Sequence, residues 1–435
     1  MDCSRKAAWE SLDHFEGDRN EALWRKDWHA SLSVKSQGIL GRDERSFLHQ
    51  SLSTPCIDVL AKAEGAWLEM ADGRRILDFH GNSVHHIGHG NAVVKAALIK
   101  QMDELPFSPR RYANEPAVQL AERFQRLSNG LLRRTLMMPS GSSAISAGLR
   151  LARLASGKNK VVTWWDSFHG ATFDNCAIGG ERMFRDGAEH LSNASLHIAP
   201  PQSLAPQGLA DPEVLDYLAR KEGNVGVFLA EPVRHSGVLI PPVGYWQEIR
   251  RICDRHGILL FFDEIPCGLG RLGHMFAYQH AGVEPDLVAL GKALGGGIFP
   301  QAALLCRESL NVVRSGSVGH FTHEKSPLGA ACALATLDVI ENENLCERAN
   351  QIGLTLRDRL TQEKLPNMVE IRHAGALVGI ELTDDACAEK ALLRSLHAGL
   401  SFKVGAGNVL TLNPPLNITD QELNMATNIL ISVLS

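Results

Sequence analysis

Short apolar runs alternate with amphipathic stretches through the middle of the chain. Thr135–Met138, Val161–Trp164, Val225–Ala230, Ile258–Phe262, Leu287–Leu290 and Ala302–Leu305 carry almost no polar break, and 144–154 and 244–256 between them have helical spacing. A strand covered on both faces reads as a continuous apolar run, whereas one wet face imposes alternation. The pattern predicts an α/β fold with a mostly parallel sheet covered by helices over 133–335. Upstream, the segment around 65–73 reads as strand, Asp72-Gly73 turn, strand, which is a hairpin signal. A helix is expected over 91–102, with Val94, Ala97 and Leu98 on one face. Downstream, short strands at 369–371, 377–382 and 408–412 and a helix opening at Asp420 predict a smaller α+β unit. The expected division is 1–75 as arm and part of the small domain, 76–335 as the large domain, and 336–435 as the C-terminal part of the small one.

Composition narrows the class of function. The chain has 435 residues, 44% of them hydrophobic, and 44 basic against 49 acidic side chains give a formal charge of −5. A chain of this length buries enough surface to need no staple. No dense Lys/Arg cluster occurs, so neither nucleic acid nor an anionic membrane is an expected partner. Nine cysteines, an odd number without a CxxC pair, argue against a disulfide framework and a structural zinc site. The polar start lacks the apolar core of a signal peptide, and the longest apolar run, 257–262, is too short to cross a bilayer. A soluble, cytoplasmic protein with reduced thiols and no metal is expected.

In open parallel sheets, ligands sit beyond the carboxyl ends of the strands. Four places follow apolar runs and carry polar residues. Pro139-Ser-Gly-Ser-Ser143 opens a helix, either as an ordinary cap or as an anion site, because free N–H groups and the helix dipole favour negative charge there. Phe168-His169-Gly170 is either core or a ring-stacking element. Asp263-Glu264 ends the most hydrophobic strand; the pair is either a salt-bridged strand end or a partner for a cationic ring nitrogen. Lys292, between a strand and Gly295-Gly-Gly297, is either a surface lysine or an amine poised for Schiff-base chemistry.

The order of these elements, with Glu231-Pro232 between the second and third, resembles fold-type I pyridoxal-phosphate enzymes. More narrowly, 257–265, 268–271 and 285–297 resemble the class III aminotransferase family, and the likeness runs from about 55 to 430. It implies a large domain with a seven-stranded sheet, a small domain built from both chain ends, and pyridoxal 5'-phosphate as cofactor. It further implies Lys292 as the Schiff-base lysine and Asp263 as the partner of the ring nitrogen. Ile265 would lie below the ring, Phe168 above it with His169 following, and Glu231 nearby. Gly141 and Ser142 would hold the phosphate, joined by Thr322 from a neighbouring subunit, which requires a homodimer with its sites at the interface.

Departures from the family pattern bear on the reaction. Ser143 replaces an acidic residue, Pro266 a glutamine, and 324–328 a Gly-Gly-Asn-Pro-Leu. Thr411 stands where many family transaminases carry an arginine that grips the substrate carboxylate. The lyase branch of the family also lacks that arginine, and the loops 78–89 and 105–114 are similar to it. That resemblance implies elimination from a hydroxylated aminoethylphosphonate with release of ammonia. The alternatives are an aminotransferase acting on an amine, diamine or aminoethylphosphonate, and a phospho-lyase acting on a phosphorylated amino alcohol. Loss of hydroxide needs a general acid, for which His85, His86, His169 and Lys292 are candidates. A phosphonate needs cationic donors: Arg110 and Arg111 first, then Arg234 and Lys325.

Overall fold

The computed structural model describes residues 23–50, 53, 56–201 and 211–435. The reading of the polar start, 1–20, lies outside them. Among the described residues, a seven-stranded sheet forms the centre. Its strands in chain order are β1 (Arg134–Met138), β2 (Lys160–Trp164), β3 (Ser195–Ile198), β4 (Val225–Ala230), β5 (Leu259–Asp263), β6 (Leu287–Leu290) and β7 (Ala302–Cys306). Across the sheet the order is β1-β7-β6-β5-β4-β2-β3. Strand β7 runs antiparallel to both neighbours, and the other pairings are parallel. Every apolar run expected to be a strand is one. Strand β3 was not foreseen: it pairs only with β2 at the sheet edge, and three half-buried residues before the buried Ile198 leave little periodic signal.

Successive side chains on a strand point to opposite faces, so Phe261 and Phe262 serve two helices. Phe262 meets the ring of Trp246 at 4.7 Å, on the helix Tyr245–His256. Phe261 faces the helix Gly141–Ser156, which follows β1. Both rings are fully buried, and each contributes about 2–3 kcal/mol by leaving water. The helix Gly141–Ser156 is capped at its start by Ser140, whose Oγ accepts the Ser143 N–H at 3.2 Å. It ends at Gly157, whose φ of 68° is the left-handed conformation common after helix ends.

Two smaller sheets flank this centre. The expected hairpin forms, Trp67–Met70 with Arg75–Asp78, and Leu400–Ser401 adds in parallel beside Arg75–Asp78. Both chain ends thus share one sheet. The second sheet pairs Met368–Ala374, Leu377–Leu382, Val409–Leu412 and Lys403–Gly405. The last helix, Asp420–Leu434, starts with a capping box between Thr419 and Glu422. No helix among the described residues is long and apolar enough to cross a membrane.

The close approach of helix and sheet at Phe261 yields a test. A Cβ on Gly148 would lie 2.4 Å from Phe261 Cε1 and 3.0 Å from Leu304 Cδ1. Alanine improves helix propensity by about 1 kcal/mol, yet overpacking a rigid core costs about 1–3 kcal/mol. Gly148→Ala is expected to lower the thermal midpoint by several degrees in calorimetry; an unchanged or raised midpoint would show that the contact is soft.

Candidate active site

The carboxyl ends of the parallel strands open onto one cavity of about 220 Å³. Each strand end delivers its own residue. Gly141 and Ser142 follow β1, Phe168 and His169 follow β2, and Glu231 follows β4. Asp263 ends β5 with Ile265 beyond it, and Lys292 follows β6; all of them line the cavity. Glycine is required where chains crowd. A Cβ on Gly141 would lie 2.7 Å from Ile265 Cδ1, and one on Gly170, at φ 111°, would lie 2.5 Å from Ser142 Oγ.

Asp263 is buried and fixed on both oxygens: Oδ1 accepts the Ile265 N–H at 3.1 Å, and Oδ2 meets His169 Nδ1 at 2.8 Å. His169 Nε2 lies 3.2 Å from Thr163 Oγ1 on β2. The Asn175 amide donates to the carbonyls of His169 and Ser142, both at 2.9 Å, joining the loops after β1 and β2. Lys292 is exposed in the isolated chain, with a left-handed φ of 44°. That backbone is uncommon for a side chain of this size and costs about 1 kcal/mol or more.

Glu231 behaves differently from Asp263. Its Oε2 accepts a single backbone N–H, from His235 at 2.8 Å. Burial, with the Asp263 charge adding to it, pushes the Glu231 carboxyl up to about 7. Glu264 faces elsewhere. Its oxygens accept the N–H groups of Ala277 at 2.6 Å and Tyr278 at 2.8 Å, and burial pushes it up to about 8 against those bonds.

The remaining sequence candidates fall into two groups. Arg234 lines the cavity; Arg110, Arg111, Thr322 and Lys325 do not, and all four are exposed in the isolated chain. Their two loops touch: the Asn114 amide donates to the Lys325 carbonyl at 3.0 Å, and the rings of Phe107 and His323 meet at 5.5 Å. His85 and His86 are buried outside the cavity lining. His85 stacks on His89, and both rings approach Asp78, so this Asp-His-His group could also hold a metal ion. Asp78 Oδ1 accepts the N–H groups of His80 and Gly81 at 2.9 and 3.0 Å, so its carboxylate organises the 78–89 loop. Burial pushes His85 down to about 4, which keeps it a neutral ring. His86 lies 3.4 Å from Arg271 Nη2, whose Nη1 donates to the Pro414 carbonyl at 2.5 Å.

Sequence reasoning missed Asp166, His235 and Ser236, which also line the cavity. Asp166 follows β2 as directly as Phe168 does, so position alone could have found it. His235 and Ser236 follow Glu231-Pro232 closely, but the turn that returns them to the cavity leaves no periodic trace.

An exposed lysine, a buried carboxylate and a helix N-terminus around one cavity at the carboxyl ends of a mostly parallel sheet define a fold-type I pyridoxal-phosphate enzyme. The donor chemistry fits this cofactor: an amine for an aldehyde, a fixed anion for a ring cation, free N–H groups for a phosphate. A family model described as aminotransferase class III matches residues 50–434, and the chain belongs to that family. The (R)-1-hydroxy-2-aminoethylphosphonate ammonia-lyase of Vibrio splendidus (strain 12B01) is 42% identical, covering 96% of this chain and 94% of its own length. The ornithine aminotransferase of Bacillus cereus (strain Q1) is 32% identical, with 87% and 94% covered. A crystal structure of a Bacillus anthracis aminotransferase superposes with a TM-score of 0.84 at 26% identity, covering 93% of this chain and 99% of that one. The protein is therefore an enzyme family member whose cofactor is pyridoxal 5'-phosphate.

The Glu231 proton can be tested without cofactor. Its carboxyl rises from 4.5 to about 7 on folding, so the folded chain binds more protons than the unfolded one between those values. Stability then falls as pH rises through that window, by about 3 kcal/mol for one such group. Denaturant melts of the cofactor-free chain at the two ends of the window should show a fall smaller by about 3 kcal/mol in Glu231→Gln than in the parent, Glu264 contributing alike to both. An equal fall in both proteins counts against a buried neutral Glu231.

Proposed function

We propose that the chain is a pyridoxal-phosphate-dependent lyase that converts (R)-1-hydroxy-2-aminoethylphosphonate to phosphonoacetaldehyde and ammonia. The observation that carries this reading is the 42% identity to an ammonia-lyase over 96% of the chain, in a family whose aminotransferase relatives match at 30–34%. Thr411 supports it. An uncharged side chain on that strand offers no bidentate grip on an amino-acid carboxylate.

Lys292 would hold the cofactor, with Asp263 at its ring nitrogen, Ile265 and Phe168 on its two faces, and Gly141 and Ser142 at its phosphate. The bound cofactor would supply an aldehyde for the substrate amine and an electron sink for the neighbouring C–H bond. Lys292 Nζ would take the proton from the carbon bearing nitrogen. The same Nζ would return a proton to the departing hydroxide, which leaves as water. Lys292 would then regain its own bond to the cofactor in exchange for the substrate nitrogen, releasing an enamine that takes up water to give the aldehyde and ammonia. Asp263, held by His169, keeps a negative charge facing the ring nitrogen. The neutral rings of His85 and His86, committed elsewhere, are set aside as acids in favour of Lys292. His169 is set aside too, because its two nitrogens already face Asp263 and Thr163.

We assign Thr322, Arg110, Arg111 and Lys325 to the cavity of a second copy of the chain. Their exposure, and the contact between their two loops, support a homodimer in which each copy completes the other's site. The companion reading is an aminotransferase acting on an amine such as aminoethylphosphonate, favoured by the ornithine and acetylornithine aminotransferase relatives.

An assay separates the two. Purified enzyme reconstituted with cofactor is expected to release ammonia and phosphonoacetaldehyde in equal amounts from the hydroxylated phosphonate, with no 2-oxo acid present. Lys292→Ala should lower the rate at least about 1000-fold and retain no tightly held visible chromophore after desalting. Nitrogen transfer to pyruvate or 2-oxoglutarate without ammonia release would establish the aminotransferase instead.

A further inference from the structure

Three buried polar atoms near the cavity have no hydrogen-bond partner among the described residues: Arg234 Nε, Ser236 Oγ and Thr411 Oγ1. Their side chains come from residues that are 3%, 6% and 1% exposed. A buried unpaired donor costs about 1–3 kcal/mol, so three together in a built site point to a ligand that supplies acceptors.

The fold brings these atoms together deliberately. After Glu231-Pro232 the chain makes a tight turn in which Arg234 and Leu239 exchange two backbone hydrogen bonds, each 3.0 Å. Gly237 and Val238 within it are left-handed, at φ 75° and 49°. For a β-branched residue this is strained backbone, and something must hold it. Arg372 does so: its Nη2 donates to the Gly237 carbonyl at 2.7 Å and its Nε to that of Val238 at 2.8 Å, while Nη1 pairs with Glu381 at 2.7 Å. The turn sets Arg234, His235 and Ser236 into the wall of the cavity that Lys292 also lines.

Thr411 approaches from the small sheet. A Cβ on Gly405 would lie 2.9 Å from the Gly237 backbone N and 3.1 Å from both Ser236 Oγ and Thr411 Oγ1, so glycine there lets the small sheet close on the turn and brings the two hydroxyls to the same place. Lys403 is the register partner of Thr411 across the sheet. Burial, then the charges of Lys403 and Lys292, hold His235 well below its usual value, so the ring stays neutral. His235 Nε2 is engaged by Ser83 Oγ at 2.9 Å.

We propose that Arg234, Ser236 and Thr411, with Lys403 adding charge, form the cradle for a tetrahedral dianion on the substrate: a phosphonate or a phosphate monoester. Three separate donor groups match a head group with three outward oxygens. A carboxylate presents two oxygens in one plane, which suits donors arriving from three directions less well. Cationic charge from two side chains favours a dianion over a monoanion. Thr411, the position where the family pattern has an arginine, thereby contributes a hydroxyl, and the charge comes from the neighbouring turn. This assignment rests on the amine-elimination reading above, and it replaces Arg110 and Arg111 as first choice for the anion within one chain.

The test uses the cofactor-loaded enzyme and small anions lacking an amine. In calorimetric titration at a pH where the phosphonate is doubly ionised, methylphosphonate and methyl phosphate are expected to bind comparably. Methanesulfonate and acetate are expected to bind roughly 10-fold or more weakly. Arg234→Gln should weaken methylphosphonate roughly 30-fold, and Ser236→Ala and Thr411→Val each roughly 5-fold, with Arg234→Lys recovering part of the loss. The same variants should raise KM for the amino-phosphonate more than they lower kcat. Retained visible absorption and melting temperature show that a variant is folded and loaded. An unchanged Kd in Arg234→Gln, or acetate binding as tightly as methylphosphonate, overturns the cradle while leaving ammonia release intact. Loss of the lyase reading would appear separately, as absence of ammonia from wild-type enzyme.

Discussion

The site depends on one buried anion. Asp263 ends the most apolar strand of the chain and is 2% exposed, where an unpaired carboxylate would cost several kcal/mol. It is tolerated because partners reach it from other strands. His169 crosses from the loop after β2, passing over the end of β4, and Thr163 in turn positions His169. Asn175 then ties that loop to the helix start at Ser142. Charge at one strand end therefore fixes the loops after three strands. A side chain lost anywhere in this network would leave the others without their geometry, so the cavity behaves as one unit rather than as a set of independent residues.

The neighbouring carboxyl shows how local donors decide protonation. Asp263 and Glu231 share a cavity and a similar burial. Asp263 has a hydrogen bond on each oxygen; Glu231 has one backbone N–H and the Asp263 charge beside it. The proton is therefore favoured on Glu231. Burial and the neighbouring charge thus let Glu231 hold its proton up to about 7 in the same cavity as the hydrogen-bonded Asp263. Glu264, adjacent to Asp263 in sequence, is turned to the opposite side and spends its oxygens on a helix start, which sequence adjacency alone does not reveal.

Most of the sheet was legible because parallel strands buried on both faces leave runs that nothing else in the chain imitates. Strands Val225–Ala230 and Leu287–Leu290 coincide with their runs residue for residue. The edge strand Ser195–Ile198 was invisible because one neighbour and partial burial demand little of its sequence. The residues gathered at the strand ends were legible for a related reason: position after a strand fixes position at the cavity. Arg110 and Arg111 stand out in sequence as cationic donors in a loop similar to the lyase branch; that they are exposed in the isolated chain and outside the cavity lining is a tertiary fact. Sequence singles out Thr411 for the charge it lacks and passes over Ser236, because the significance of both hydroxyls lies in lacking a partner, and that property exists only in three dimensions.

Fold and cofactor are shared with aminotransferases, so differences in reaction must reside in the groups around the cavity rather than in its frame. The part of the cavity lined by Lys292 and Asp263 is built on strand ends. The part lined by Arg234 and Ser236 is built on a turn strained at Val238, with a strand of the small sheet behind it. Arg372 bridges these two pieces. It donates to the turn's carbonyls and pairs with Glu381, which sits on the strand next to Thr411's own. Gly379 packs under Val238 and Gly405 under Gly237, so the same two pieces also meet through backbone. Arg372, outside the cavity lining, therefore acts on Ser236 and Thr411 only by holding the turn against the sheet.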